Sequence, residues 1–359
     1  MEKKRSVGKT IGIVILALLL ILLVLVAGGL TWLTIREYKP ADTEMLDVSG
    51  KASQTLSAGD SLRLMTWNVG YGALGDNADF FMEGGEMVTT ADEARVKSNL
   101  KGMANGIYKV DPDVVFLQEV DKDSTRSYHI DETEFFLKAL PGTTATYAPN
   151  FVAFVPYPIP PIGSVNGGLQ TLTKLDISDA HRLQLPVPFK WPVRTANLKR
   201  CLSVNYVPIK GSDKELVLVN LHLEAYDDGE GKIAQTRMLQ DLLKEEYKKG
   251  NYVIAAGDFN QSFSNVDLTN YPVYEGMWEV GLVNEEDFAP EFSLVTDNTY
   301  PTCRSLVTPY KGADKSTFQY YVIDGFIVSA NLRVDNVETQ NYDFINTDHD
   351  PVVLDVTLQ

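Results

Sequence analysis

Short apolar runs of buried-strand length, each with a polar side chain at its end, recur along this chain. The plainest is Tyr252-Val253-Ile254-Ala255-Ala256-Gly257-Asp258-Phe259-Asn260, whose first half is apolar and partly β-branched. Residues two apart in an extended chain project to one face, so Asp258 and Asn260 point together from the carboxyl end of a core strand. A carboxylate beside an amide oxygen suits a hard divalent cation, a phosphate, or both. Gly-Asp and Asn are equally ordinary turn residues, so this stretch alone leaves both readings open. Leu62–Gly70 repeats the pattern with Asn68, Asp113–Val120 with Glu119, and Glu215–Leu223 with His222. In Gln319–Val328 the apolar run is interrupted by Asp324, a charge that needs a partner inside such a strand. Asp348 and His349 stand just before a last strand, Val352–Val356.

Between these runs lie helical patterns. Ala91–Val110 places Val96, Leu100, Met103 and Ile107 on one face and is stopped by Asp111-Pro112. Ile233–Lys249 is amphipathic, and Glu132–Leu140 reads as a short helix. Helices alternating with buried-type strands predict α/β layering. Leu169–Leu175 and Leu198–Val207 read as further strands, whereas Gly70–Thr90 and 261–316 read as loops. Phe151–Val165 is aromatic and Pro-rich, which excludes a central strand and predicts a packed loop or an exposed apolar lip.

The amino terminus is different. Ile11–Leu33 is an apolar run of 23 residues without a charge, long enough to span a bilayer. Four basic residues precede it, which predicts a single-pass protein of the cell membrane with a cytoplasmic amino terminus. The expected organisation is a basic tail over 1–10, an uncleaved anchor over 11–35, a polar tether over 36–60, and an extracellular domain over 61–359. Residues 1–36 carry five basic side chains and one acidic, so the rest of the chain holds −20 of charge (27 basic, 47 acidic). Such a surface argues against broad attraction to nucleic acid or anionic lipid, but not against a local metal-bearing cleft. Cys201 and Cys303 are the only cysteines; an exported pair could form a disulfide, or both could be separate buried thiols.

Taken in order, Thr66-Trp67-Asn68, Leu117-Gln118-Glu119-Val120, Asn220-Leu221-His222-Leu223, Gly257-Asp258-Phe259-Asn260, Ile323-Asp324 and Thr347-Asp348-His349-Asp350-Pro351 resemble the endonuclease/exonuclease/phosphatase superfamily, the deoxyribonuclease I-like phosphoesterases. The resemblance implies an α/β (α+β) fold: a four-layer αββα sandwich of two mixed sheets over 61–359, here preceded by one transmembrane helix. It implies phosphate-ester hydrolysis with Mg²⁺, or Mn²⁺ in its place. By matching position, Glu119 is the principal metal carboxylate, with Asn68, Asp258 and Asp348 beside the metal. His349 is the general base, oriented by Asp324. Asp258 and Asn260 position water and phosphate, and His222 donates to the phosphate as charge builds. Asn166, before Gly167-Gly168, stands where relatives place a substrate contact.

Elementary chemistry supports the same roles, because attack on a phosphate ester needs an activated water and neutralisation of the equatorial oxygens. No covalent nucleophile is required, so the expected reaction is direct attack by a His-activated water. Inositol-polyphosphate phosphatases carry Arg after the Gly-Asp-x-Asn and Cys-Asp-Arg near the end, where this chain has Gln261-Ser262 and Ile323-Asp324-Gly325. The expectation is a monomeric, membrane-anchored phosphodiesterase whose substrate is a lipid headgroup, a nucleic acid or a small phosphate ester. The alternatives are a nuclease, a sphingomyelinase-like phospholipase, or a non-catalytic binding module on the same fold.

Overall fold

A computed structural model describes residues 7–227 and 229–359. Two mixed β-sheets stack face to face. One runs through Thr43–Met45, Asp179–Gln184, Cys201–Lys210, Glu215–His222, Tyr252–Asp258, Asp324–Ser329 and Phe292–Val295, with Leu56–Ser57 alongside Cys201–Lys210. The other runs through Leu332–Thr339, Val352–Leu358, Ser61–Asn68, Val114–Asp121, Gly163–Thr173, Thr144–Val155 and Ser49–Gly50.

Strand alternation turns these sheets into four layers. Inward-facing Leu62, Leu64 and Phe116 meet Leu216, Leu218, Ile254 and Phe326 in the central core. Met65, Trp67, Val115 and Leu117 face the other way and pack under the helix Glu93–Val110. Across the sandwich, Val217, Val219, Val253 and Ala255 pack under Leu239 and Leu243 of the helix Glu230–Lys248. The expected αββα sandwich of two mixed sheets is therefore the fold.

Polar side chains staple the sheets near one edge. Gln118 Nε2 donates to Asn220 Oδ1 at 2.8 Å, and Asn220 Nδ2 donates to the Leu117 and Gln170 carbonyls at 3.1 and 3.0 Å. These bonds cross the interface and fix how the two sheets face each other.

Two expectations need correction. Residues 36–60 are not a free tether but a strap across both sheets. Thr43–Met45 pairs with Asp179–Gln184, Ser49–Gly50 with Thr144 and Ala145, and Leu56–Ser57 with Ile209 and Lys210. Strands of two or three residues are too short to show periodicity, so the sequence carries no sign of them. The Phe151–Val165 stretch is largely strand: Thr144–Val155 pairs with Gly163–Thr173, leaving 156–162 as the hairpin tip. Its four prolines all fall in that tip, where no ladder donor is needed.

At the amino terminus, Val7–Arg36 is one helix, exposed along its apolar length and long enough to cross a membrane. Lys3, Lys4 and Arg5, on which the expected orientation rests, lie outside the described residues. Cys201 and Cys303 are separate buried thiols.

Candidate active site

Strand register delivers the polar strand ends to one edge of the sandwich. The parallel pair Glu215–His222 and Tyr252–Asp258 sets His222 beside Asp258, and the antiparallel neighbour sets Asp324 beside Asp258. In the other sheet, Ser61–Asn68 runs parallel to Val114–Asp121 and ends with Asn68 beside Gln118. Gly257 permits the close approach of its strand: a Cβ there would stand 1.9 Å from the Leu221 carbonyl oxygen.

Glu119 needs a special device. Gln118 faces the opposite sheet, so plain alternation would send Glu119 outward into the helical layer. The ladder with Gly163–Thr173 is irregular between Leu117 and Val120, and Glu119 takes a left-handed φ of 55°. That bulge turns the carboxylate back into the cleft.

The assembled side chains contact one another directly. Asn68 Nδ2 donates to Glu119 Oε1 at 3.0 Å and to Asp258 Oδ2 at 3.1 Å, joining the two sheets, while its Oδ1 accepts from the Gly70 N–H. His349 Nδ1 pairs with Asp324 Oδ2 at 2.8 Å, and its Nε2 stands 3.8 Å from Asp258 Oδ2. His222 Nε2 lies 3.4 Å from the same oxygen. The Asn260 backbone N–H donates to Asp258 Oδ1, and its Nδ2 to the Leu223 carbonyl, each at 2.8 Å. Thr347 Oγ1 donates toward Asp348 Oδ1, and Trp67 Nε1 fixes the His349 carbonyl at 2.8 Å.

Burial sets the electrostatics. It pushes the Asp258 carboxyl up to about 7, with the Asp324 carboxylate adding to the effect. Glu119 is also raised by burial, against the pull of Arg126. His222 is held well below the usual imidazole range by burial, Arg200 and His349. For His349, burial lowers the pKa, but the Asp324 carboxylate leads a larger opposing effect and holds it well above that range.

Several buried carboxylates sharing one pocket are costly unless a cation joins them. Ligand atoms of Asp258, Asp324 and His349 lie within 4.8 Å of one another, as do those of Cys303, Asp348 and His349. Asp324 Oδ1 is buried without a hydrogen-bond partner among the described residues. The Cys303 thiol is pushed up to about 12 by burial, so the oxygen donors are the ones suited to a hard divalent ion. These groups could hold such an ion, although Glu119, expected as the principal metal carboxylate, belongs to neither.

Above this floor opens a cleft of about 650 Å³, whose lining includes Asn68's partners Glu119 and Asp258, with Asn260, His222, Asp348 and His349. Asn166 is not among its lining residues; its neighbours Gly167 and Gly168 are. Sequence reasoning passed over Glu83 and Tyr226, which close one side through a 3.2 Å hydrogen bond. Glu83 sits in a turn inside the Gly-rich loop, where no periodicity marks it. Arg200 is buried in the wall and donates to the His222 carbonyl at 3.2 Å.

Residues 65–342 match the endonuclease/exonuclease/phosphatase family. The chain belongs to that family of divalent-metal-dependent phosphoesterases, and is a hydrolase of phosphate esters by class. No curated protein matches it. Solved structures share the fold. An endonuclease/exonuclease/phosphatase from Beutenbergia cavernae is 20% identical with a TM-score of 0.56, covering 83% of this chain and 72% of that one. The human Nocturnin catalytic domain with bound sulfate is 17% identical with a TM-score of 0.51, covering 88% and 97%. D. rerio TDP2 complexed with single-strand DNA product is 16% identical, also at 0.51, covering 82% and 98%.

Proposed function

We propose that this chain is a membrane-anchored, extracytoplasmic phosphodiesterase that hydrolyses its substrate by direct attack of a water activated by His349. The observation that carries the reading is the buried row Asp324–His349–Asp258, in which His349 and Asp258 line the cleft and Asp324, behind them, holds Nδ1 of His349 at 2.8 Å.

That bond fixes the ring so that Nε2 faces Asp258 and the cleft, where it accepts the proton of the attacking water. Asp324 stabilises the imidazolium that results. Asp258 Oδ2, between both imidazoles, orients the water toward phosphorus. His222 stays neutral, and its Nε2–H donates to a phosphoryl oxygen as charge builds there. Asn260, fixed through its amide to Leu223, places a second polar group at the phosphate. Glu119, Asn68, Asp258 and Asp348 would hold the divalent ion, Mg²⁺ or Mn²⁺. Such an ion neutralises phosphate charge and favours the proton-accepting form of His349.

The test is turnover of bis(p-nitrophenyl) phosphate by the full chain in Mg²⁺. His349→Ala lowers kcat by about 10²–10⁴ while circular dichroism shows an unchanged fold. A folded His349→Ala protein with wild-type turnover removes His349 from the chemistry.

A further inference from the structure

We propose that the mouth of the cleft rests on the bilayer crossed by the N-terminal helix, and that the substrate is a phosphate ester carried by a lipid of that bilayer. The inference rests on the proposed function, and on reading Val7–Arg36 as a membrane span. It starts from how the helix leaves the membrane.

No slack separates helix and domain. In the last turns, Trp32 packs edge-on against Phe154 with centroids 5.3 Å apart, and Thr34 Oγ1 accepts a 3.0 Å hydrogen bond from Trp191 Nε1. One residue past the helix, Glu37 is buried, with its carboxylate 3.2 Å from Arg194 and 3.4 Å from Lys199. Beyond it the strap over 43–57 is paired into both sheets. A helix fixed at its end in this way fixes which face of the domain meets the lipid.

That face is the cleft mouth. The residues that grip the helix belong to two segments, the hairpin 144–173 and the stretch 189–198. The same segments build cleft walls, through Phe151, Val155, Tyr157 and Ile162 from the first and Phe189 and Leu198 from the second. Their outer sides are apolar and exposed: Ile159 is 95% exposed, Val193 58% and Trp191 54%. Exposed aliphatic and Trp side chains grouped where an apolar helix ends suit the interfacial zone of a bilayer. Arg36, Lys39, Lys190 and Arg194 gather at the same junction, with Glu37 among them, although residues 37–359 together carry −20. Basic side chains there face lipid phosphates, whereas the rest of the acidic domain is repelled from an anionic surface. A lipid lifted slightly from the bilayer would bring its phosphate to His349 with its apolar part against the aromatic wall.

The full chain, reconstituted into vesicles of phosphatidylcholine, phosphatidylglycerol and sphingomyelin, tests this in two arms. A spin label on Ile159→Cys reports surroundings, because Cys201 and Cys303 are buried. The expected result is preferential relaxation by lipid-dissolved oxygen over a water-soluble nickel chelate. Tyr108→Cys, on the helix Glu93–Val110 and 75% exposed, should show the reverse. An aqueous signal at position 159 overturns the docking. In the second arm, Ile159→Asp and Val193→Asp lower hydrolysis of the vesicle lipids by about tenfold and leave bis(p-nitrophenyl) phosphate turnover unchanged. Equal loss on both substrates, or cleavage of single-stranded DNA with the vesicle lipids intact, overturns the lipid assignment. Absence of turnover on the soluble diester instead refutes the hydrolytic reading, and the spin label then judges the docking by itself.

Discussion

Gly257→Ala is a change of one methyl group that should disturb fold and site together. The added Cβ would stand 1.9 Å from the Leu221 carbonyl oxygen and 2.8 Å from its carbon, both backbone atoms of the neighbouring parallel strand. Ordinary contact requires the strands to part by roughly 1.2 Å, and close-packed interiors resist such movement. Overpacking of this kind costs about 1–3 kcal/mol. The φ of 153° adds strain of about 1–2 kcal/mol for a non-glycine residue. A total of about 2–5 kcal/mol, divided by an unfolding entropy near 0.6 kcal/mol/K for a domain of about 300 residues, lowers Tm by about 3–8 °C. The displacement also separates His222 from Asp258, now 3.4 Å apart, and a shift of about 1 Å in reacting groups costs about 10²-fold in rate. Differential scanning calorimetry and diester turnover read the two effects. Gly59→Ala serves as the control, because its φ of 84° carries backbone strain but no atom of the described residues lies within 4 Å of the new methyl. If Gly257→Ala melts within about 2 °C of wild type and turns over normally, the strand register described for the site is wrong.

Arg126→Ala should destabilise the domain by about 3–5 kcal/mol in urea unfolding. Arg126 makes paired hydrogen bonds of 3.0 and 2.9 Å to the fully buried Asp121, which the variant would leave without a counter-charge. Asp324→Asn keeps an oxygen for His349 Nδ1 but removes the charge that stabilises the imidazolium, so kcat falls by about 10²–10⁴ with little change in Tm. Equal kcat in the two proteins would show that Asp324 is structural.

The strands that carry the site were legible because each is long enough to alternate, and because a polar side chain at the end of an apolar run has few reasons to be there. Asp258 and Asp324 show this best: both interrupt β-branched runs, and register sets them side by side. Glu119 was legible as a residue but not as a geometry, since the bulge that re-aims it depends on pairing with a strand some fifty residues away. Glu83 and Tyr226 were invisible, because they lie 143 residues apart in loops and acquire meaning only when those loops meet. The 36–60 strap escaped for the opposite reason. Its strands are real but too short to leave a pattern, and their partners come from the domain. Prolines misled in one place: those at 156–161 mark a hairpin tip, while the strands on both sides of it pair with each other, with one irregularity between Pro149 and Phe151.

The buried carboxylate–histidine cluster, read as a metal-dependent hydrolytic centre, should lose its chemistry with the metal. The most direct measurement follows bis(p-nitrophenyl) phosphate turnover by the full chain after EDTA treatment, then during Mg²⁺ add-back, with Asp258→Ala as the parallel sample. Turnover should disappear with EDTA, return with Mg²⁺, and be absent from Asp258→Ala at every concentration. Turnover that survives metal removal, or returns equally in Asp258→Ala, would contradict that reading.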